Sequence, residues 1–312
     1  MELAFIIVSW NVRKFVARCI DSIHKYVPHD ICEIFLVDNA SADDTVDFVR
    51  RNYPDVRILA NKKNKGFAAA NNQAVMQTDA DILVFANPDT ELKGSIQPLI
   101  DALGDKKTAA AFGRLVYPSG RTQDFIRSFP CLANRFGEAL GAAHLFPGLR
   151  LFHEMIRHDN KEVYDRPHFI DAASGAFFLV KRDVFLESGM FDSRFFVYAE
   201  DTDLFYRLRQ KGYRIFYDPS IKIVHHHGKS TVQNPGMYAM QQKNTYLFIE
   251  KHHSRPYAFL YRYVLLVFYD ITRFFFSVIK TLHSDAEVRK QASIKAGMHL
   301  AALKWELFGK RI

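Results

Sequence analysis

Carboxylates, amides and histidines gather in this chain where apolar runs stop, and those are the positions where side chains can do chemistry. Ile82-Leu83-Val84-Phe85-Ala86 runs directly into Asn87-Pro88-Asp89. Proline cannot continue a central strand, so the chain turns there and Asp89 is held at a strand's carboxyl edge. A carboxylate fixed on a rigid edge suits a hard divalent cation, although Asn-Pro-Asp alone is also an ordinary turn. Glu200, Asp201 and Asp203 place three acids within four residues, ahead of a helical pattern. The helix dipole favours acids in a first turn, and the same residues can supply a general base that removes a proton from a hydroxyl. Asp203 also stands four residues before Arg207, the spacing of a pair on a helix surface. His225, His226 and His227 close another apolar run and can ligate a cation or a diphosphate. Three successive strand residues cannot all face one way, so one or two of them are spectators. A carboxylate joined by a histidine favours Mn2+ or Mg2+ over a structural zinc site.

The elements that must position these residues follow a regular rhythm. Residues 3–8, 33–38, 56–59 and 81–86 read as strands, and 12–26, 44–52 and 67–78 as helices, with Ser41 or Asp43 capping the second helix. This βαβαβαβ order predicts an α/β fold built on a parallel sheet with helices on both faces. Later, 109–117 and 176–180 read as strands, 202–212 as a helix ending at Gly212, and 213–224 as containing a last strand. Residues 121–168 are irregular and suit a substrate-covering loop region; from about 235 onward the pattern is helical.

In a parallel sheet the polar ends of the first four strands share one edge, the edge where open α/β folds bind ligands. That edge then carries Ser9, Asp38, the NKKNKGFAAANN segment 61–72 and Asn87-Pro88-Asp89. Asp38 can accept hydrogen bonds from a base or ribose. Gly66 lets the backbone approach a ligand, and the helix N-terminus behind it favours anionic groups. A nucleoside diphosphate with a divalent cation suits such an edge. No GxGxxG or GxxxxGK[ST] occurs, which argues against dinucleotide oxidoreductases and P-loop enzymes.

The three cysteines, Cys19, Cys32 and Cys131, are sparse and odd in number, as expected of a reducing cytoplasm rather than a disulfide scaffold. No basic stretch precedes the first apolar run, which therefore reads as a strand and not as a signal peptide. The net charge is +8, and residues 251–312 hold eleven Lys/Arg against four Asp/Glu. The excess thus sits in the tail and suggests an anionic surface as its partner. Segment 255–280 is rich in aromatic residues, with Arg255, Arg262, Arg273 and Lys280 on one stripe. Ser254 can cap this helix, with Pro256 in its first turn. Charges at 262, 270 and 273 disfavour a membrane span, at roughly 3 kcal/mol each near a bilayer centre. A helix lying in the membrane interface, or one packed on the catalytic domain or a second subunit, fits better than a nucleic-acid partner.

Seven segments together resemble the family 2 glycosyltransferases, the inverting GT-A enzymes, and most of all their rhamnosyltransferase-like branch. They are VSWN at 8–11, VDNAS at 37–41, NKGFAAANN at 64–72, FANPDT at 85–90, SGAFFLVKR at 174–182, FDSRFFVYAEDTDLFYRLRQKG at 191–212 and HHHGKS at 225–230. The resemblance implies a GT-A, Rossmann-like, mainly parallel twisted sheet over residues 1–232, with a nucleotide-sugar half to about 110 and an acceptor half after it. Residues 233–312 would form a helical region that associates with membrane or with a second copy. It implies nucleotide-sugar binding by Val8, Ser9, Asp38, Asn64, Gly66, Phe67, Asn71 and Asn87. Asn87 stands where many relatives carry the first Asp of a DxD-type motif. Asp89 and His225 would hold Mn2+ or Mg2+, and Asp201 would be the base, with Glu200 and Asp203 orienting it. The implied activity is inverting sugar transfer from a nucleoside-diphosphate donor to a glycan or polyprenyl-linked acceptor in bacterial surface-polysaccharide assembly. The place of action would be the inner face of the cell membrane. A sugar nucleotidyltransferase also needs a nucleotide edge and a metal, but residues 9–15 lack its glycine-rich basic loop. A decayed, non-catalytic membrane scaffold would not be expected to keep Asp38, Asp89 and Asp201.

Overall fold

The sheet is organised around β1 (Leu3–Ser9), whose seven residues are all buried. A run with no polar alternation needs cover on both faces, so it takes a central place. β1 pairs in parallel with β2 (Cys32–Asp38) and β4 (Ile82–Ala86), and β2 with β3 (Arg57–Ala60). The intervening helices are α1 (Arg13–Tyr26), α2 (Thr45–Asn52) and α3 (Phe67–Val75). The computed structural model describes residues 1–139, 155, 160–226 and 235–308. Of the segment 121–168, expected from the sequence to be irregular and substrate-covering, residues 140–154 and 156–159 lie outside the described residues, and the described part holds short strands and helices; residues 227–230 of the HHHGKS segment also lie outside.

Beyond β4 the sheet becomes mixed. Its order is β3-β2-β1-β4 and then β10 (Phe177–Lys181), β6 (Thr108–Val116), β11 (Arg214–His225) and β5 (Thr90–Leu92), with β8 (His168–Ile170) also on β11. β10 runs antiparallel to both β4 and β6. β11 is parallel to β6 and antiparallel to β5. α4 (Gln97–Ala102), α6 (Lys161–Tyr164), α7 (Arg182–Glu187), α8 (Glu200–Gln210) and the small ladder of β7 (Ile126–Arg127) with β9 (Ala172–Ala173) complete this part. Phe85, Phe112, Phe178, Phe185 and Phe191 fill its core with stacked, tilted and edge-on ring pairs.

Two expected caps differ in detail. Asp44 is the residue preceding α2 and makes no side-chain cap bond, while Asp43 accepts from the Thr45 amide at 3.2 Å. Ser254 precedes the long tail helix as expected, but its hydroxyl makes no capping bond.

The chain divides into two compact units: residues 1–129, 155–196 and 200–227, and residues 130–154, 197–199 and 228–312. The second unit contains α5 (Leu132–Ala139), α9 (Pro235–His252), α10 (Arg255–Leu282) and α11 (Ala286–Phe308). Its core holds Phe248, Ile249, Tyr261 and Leu265. The Tyr257 hydroxyl accepts the Leu132 amide at 2.7 Å and the Tyr261 hydroxyl accepts the Arg135 guanidinium at 3.2 Å, tying α5 to α10. Among the described residues, no helix is long and apolar enough to cross a membrane.

Candidate active site

The strand register brings the predicted polar ends to one edge. Ser9 lies opposite Asp38, and Asp38 opposite Ala60. Asp38 is buried; its carboxylate accepts the Ser9 hydroxyl at 3.0 Å and the Ser41 amide at 2.9 Å. Val8 is the last apolar residue before this cluster. The side chain of Asn39 spans to the next loop, donating to the Gly66 carbonyl at 3.2 Å and accepting from Asn61 at 3.1 Å. Asn64 accepts the Gly66 amide at 2.9 Å.

Gly66 has φ +83°, and a Cβ there would lie 2.5 Å from the Phe196 carbonyl oxygen, so glycine alone fits. The same carbonyl accepts the Phe67 amide at 2.7 Å, which fastens the start of α3 to the segment leading to the acid cluster. Asn72 completes the clasp by bonding both the carbonyl and the amide of Phe191, at 2.7 and 3.1 Å. Asn71 is buried and donates to the Phe67 carbonyl at 2.9 Å.

Asp89 and His225 meet because β5 pairs antiparallel with the end of β11, His225 opposite Thr90. His225 Nε2 lies 3.5 Å from the Asp89 carboxylate. Gln123 fixes the ring: its amide donates to the His225 carbonyl at 2.6 Å, leaving its oxygen to accept from Nδ1 at 2.9 Å. That contact places the ring proton on Nδ1, the usual outer support of a metal-binding histidine. His226 turns the other way, to Glu91 at 2.6 Å, and is the spectator expected of a strand neighbour. Asn87 Oδ1 is buried with no hydrogen-bond partner. An orphaned buried acceptor carries a desolvation penalty of about 1–3 kcal/mol. The adjacent Asp89 carboxylate and His225 imidazole are donor types that fit Mn2+ or Mg2+, and the unsatisfied Asn87 amide oxygen two residues before Asp89 is a hard oxygen donor of the same class.

The acid cluster joins this edge through two backbone contacts. The Asn87 amide donates to Ala176 at 2.7 Å, and the Gly175 amide donates to Asp201 Oδ2 at 2.8 Å. Asp201 Oδ1 accepts the Thr202 amide at 2.6 Å. Asp201 is thus buried and oriented at the N-terminus of α8. Glu200 beside it is buried too; burial first, then the Asp201 charge, pushes its carboxyl up to about 8. Asp203 forms the expected pair with Arg207 at 2.9 Å, but its carboxylate is buried and Arg207 is half-buried, so the pair is not on the open helix surface. Arg207 also donates to the Ser188 and Met190 carbonyls, so the pair braces α8 against the turn after α7.

Gln123, Gly175 and Thr202 were not singled out in the sequence. Gly175 opens the SGAFF segment and its signal is a glycine just ahead of an apolar strand. Gln123 lies in the irregular stretch and carries no signal.

Residues 4–187 match the family profile described as glycosyl transferase family 2. The chain belongs to that family. The transferase is 33% identical over 239 residues to the N-acetylglucosaminyl-diphospho-decaprenol L-rhamnosyltransferase of Mycobacterium tuberculosis, covering 71% of this chain and 75% of the relative. It is 27% identical over 171 residues to rhamnosyltransferase WbbL of Escherichia coli, covering 52% and 61% of the two chains. Among solved structures it resembles the mannosyltransferase PcManGT of Pyrobaculum calidifontis in complex with GDP-Man and Mn2+. That match has TM-score 0.62 at 16% identity, over 99% of this chain and 88% of the other. The mixed α/β sheet and flanking helices of the transferase are accordingly of the GT-A kind.

Proposed function

We propose that this transferase moves a rhamnosyl group from a nucleoside-diphosphate donor to a hydroxyl of a lipid-linked N-acetylglucosamine, with inversion, during surface-polysaccharide assembly. The observation that carries this reading is the 33% identity to the mycobacterial rhamnosyltransferase over three quarters of its length. In this reading the first unit does the chemistry. Val8, Ser9 and Asp38 bind the nucleoside end, and Asn64, Gly66, Phe67 and Asn71 line the donor beside the start of α3. Asp89, His225 and Asn87 hold Mn2+ or Mg2+, which when bound offsets the charge that builds on the departing diphosphate.

Asp201 takes the proton from the acceptor hydroxyl as its oxygen attacks the anomeric carbon from the face opposite the diphosphate. One displacement of this kind inverts the configuration. Its carboxylate is pre-oriented by Gly175 and Thr202, so little reorganisation is needed at the moment of attack. Glu200, held neutral, adds no second negative charge at Asp201, and Asp203 with Arg207 positions α8. The enzyme works at the cytoplasmic face of the membrane, where its lipid-linked acceptor lies and where the basic region 233–312 meets anionic lipid.

The test is transfer with purified protein, Mn2+ or Mg2+, a synthetic prenyl-diphosphate N-acetylglucosamine, and dTDP-, UDP- and GDP-sugars in turn. The expected result is one disaccharide product of inverted configuration, formed best with a rhamnose donor. A retained configuration, or no product from any donor, overturns the proposal.

A further inference from the structure

The helical unit carries a groove of about 550 Å3 that the transfer chemistry does not use. Tyr246 and Glu250 of α9 form one wall; Arg255, Phe259, Arg262 and Tyr263 of α10 form the other. The α10 residues recur at spacings of three and four, so they lie on one helix face. The Arg262 guanidinium sits 5.6 Å from the centroid of the Tyr246 ring, and Arg255 is exposed at the mouth. Phe259 and Tyr263, on the rim, begin a second feature. With Ile271, Phe274, Phe275 and Leu282 they form an exposed apolar stripe, 73% exposed at Phe259, 69% at Phe274 and 77% at Leu282. At about 100° per residue these side chains fall within about 160° of the helix circumference. The arginines flank that arc on one side, and the packed face with Tyr261 and Leu265 lies on the other.

We propose that the groove and stripe together dock an anionic phospholipid of a membrane surface. The phosphate enters between Arg255 and Arg262 while the stripe lies in the acyl boundary. This rests on the reading that the acceptor is lipid-linked. Two features select this occupant. Two guanidinium groups against one carboxylate, Glu250, leave a local charge of one, which matches a phosphodiester monoanion. An amphipathic helix with aromatic residues on one face and arginines beside them has the pattern of in-plane interfacial helices. The tail's eleven Lys/Arg against four Asp/Glu extend that complementarity beyond the groove.

The test is co-sedimentation of the full chain with vesicles of phosphatidylcholine alone or of phosphatidylcholine with phosphatidylglycerol. The same samples are assayed for transfer to a water-soluble N-acetylglucosamine acceptor. The chain should bind the phosphatidylglycerol vesicles, and Arg255→Glu/Arg262→Glu should weaken that binding at least about tenfold. Glu250→Gln should strengthen it, and Phe274→Ser/Phe275→Ser should weaken binding to either vesicle. Transfer to the soluble acceptor should be unchanged in all of these variants. Binding that ignores the arginine pair overturns the proposal. So does inorganic phosphate protecting the groove while vesicles do not bind, or a dimer that dissociates in the Phe274/Phe275 variant without any vesicle binding. If instead no sugar is transferred to the soluble or the lipid-linked acceptor but arginine-dependent vesicle binding persists, the proposed donor and acceptor fail and the docking site stands.

Discussion

Asp201 and Glu200 are adjacent carboxyl groups in one buried pocket, and their environments divide the work. Asp201 receives amide donors from Gly175 and Thr202, which fix the direction of its carboxylate. Glu200 Oε2 has no hydrogen-bond partner, and burial holds its proton. Asp201→Asn should therefore lower kcat by about 10²–10⁴-fold, the usual contribution of a general base, while calorimetric donor affinity stays unchanged. Unimpaired turnover would remove Asp201 from that role. Glu200 makes a pH prediction. Its carboxyl is raised from 4.5 to about 8, so the native state keeps a proton that the unfolded chain releases. That stabilisation is complete below about pH 4.5 and is lost as pH rises through about 8. Glu200→Gln should consequently melt progressively higher than the parent as pH goes from 5 to 8, with turnover retained. Parallel melting curves across that range would show an ordinary carboxyl. The sequence displayed the acids but not this division, because it depends on how deeply the fold buries each carboxyl and which amides it brings to them.

At the scale of elements, the site exists because strand ends converge. The parallel half, β3-β2-β1-β4, was readable from the sequence since unbroken apolar runs separated by helical spacing have one common solution. The second half was less readable. An apolar run such as that of β10 does not encode its direction, and the three residues of β5 are too few for a pattern. Yet the reversed β10 brings Gly175 to the edge, and β5 brings Asp89 to His225. The close approaches at this edge set two expectations. A Cβ at residue 175 would stand 3.0 Å from Asp201 Cβ and 3.2 Å from its Oδ2. Gly175→Ala should displace that carboxylate and lower kcat at least about tenfold, with a stability loss of about 1–3 kcal/mol from overpacking. Gly66→Ala combines positive φ with a backbone clash and should destabilise by about 2 kcal/mol or more. Denaturant midpoints and steady-state rates measure both; a Gly175→Ala protein with parental kcat would show that this contact does not position the base.

On the scale of the whole molecule, charge and structure are divided alike. The first unit carries the strand-edge site, and the second carries nearly all of the excess positive charge. Two compact units can respond separately to a ligand, which makes the metal proposal testable by calorimetry. A ligand that binds only the native state raises stability by about 2.7 kcal/mol at a hundredfold excess over its Kd. For a unit of roughly two hundred residues this is a rise of about 5–10 °C in melting temperature. A nucleoside diphosphate with Mn2+ should raise the transition of the first unit by such an amount. Either component alone should do much less, because the diphosphate and the cation are expected to complete each other's coordination at Asp89 and His225. The transition of the helical unit should stay where it is. Asp89→Ala should remove the Mn2+-dependent part and leave the small effect of nucleotide alone, since Asp38 and Ser9 are untouched. Equal stabilisation in chelator, or in Asp89→Ala, would mean that the edge binds its nucleotide without a cation.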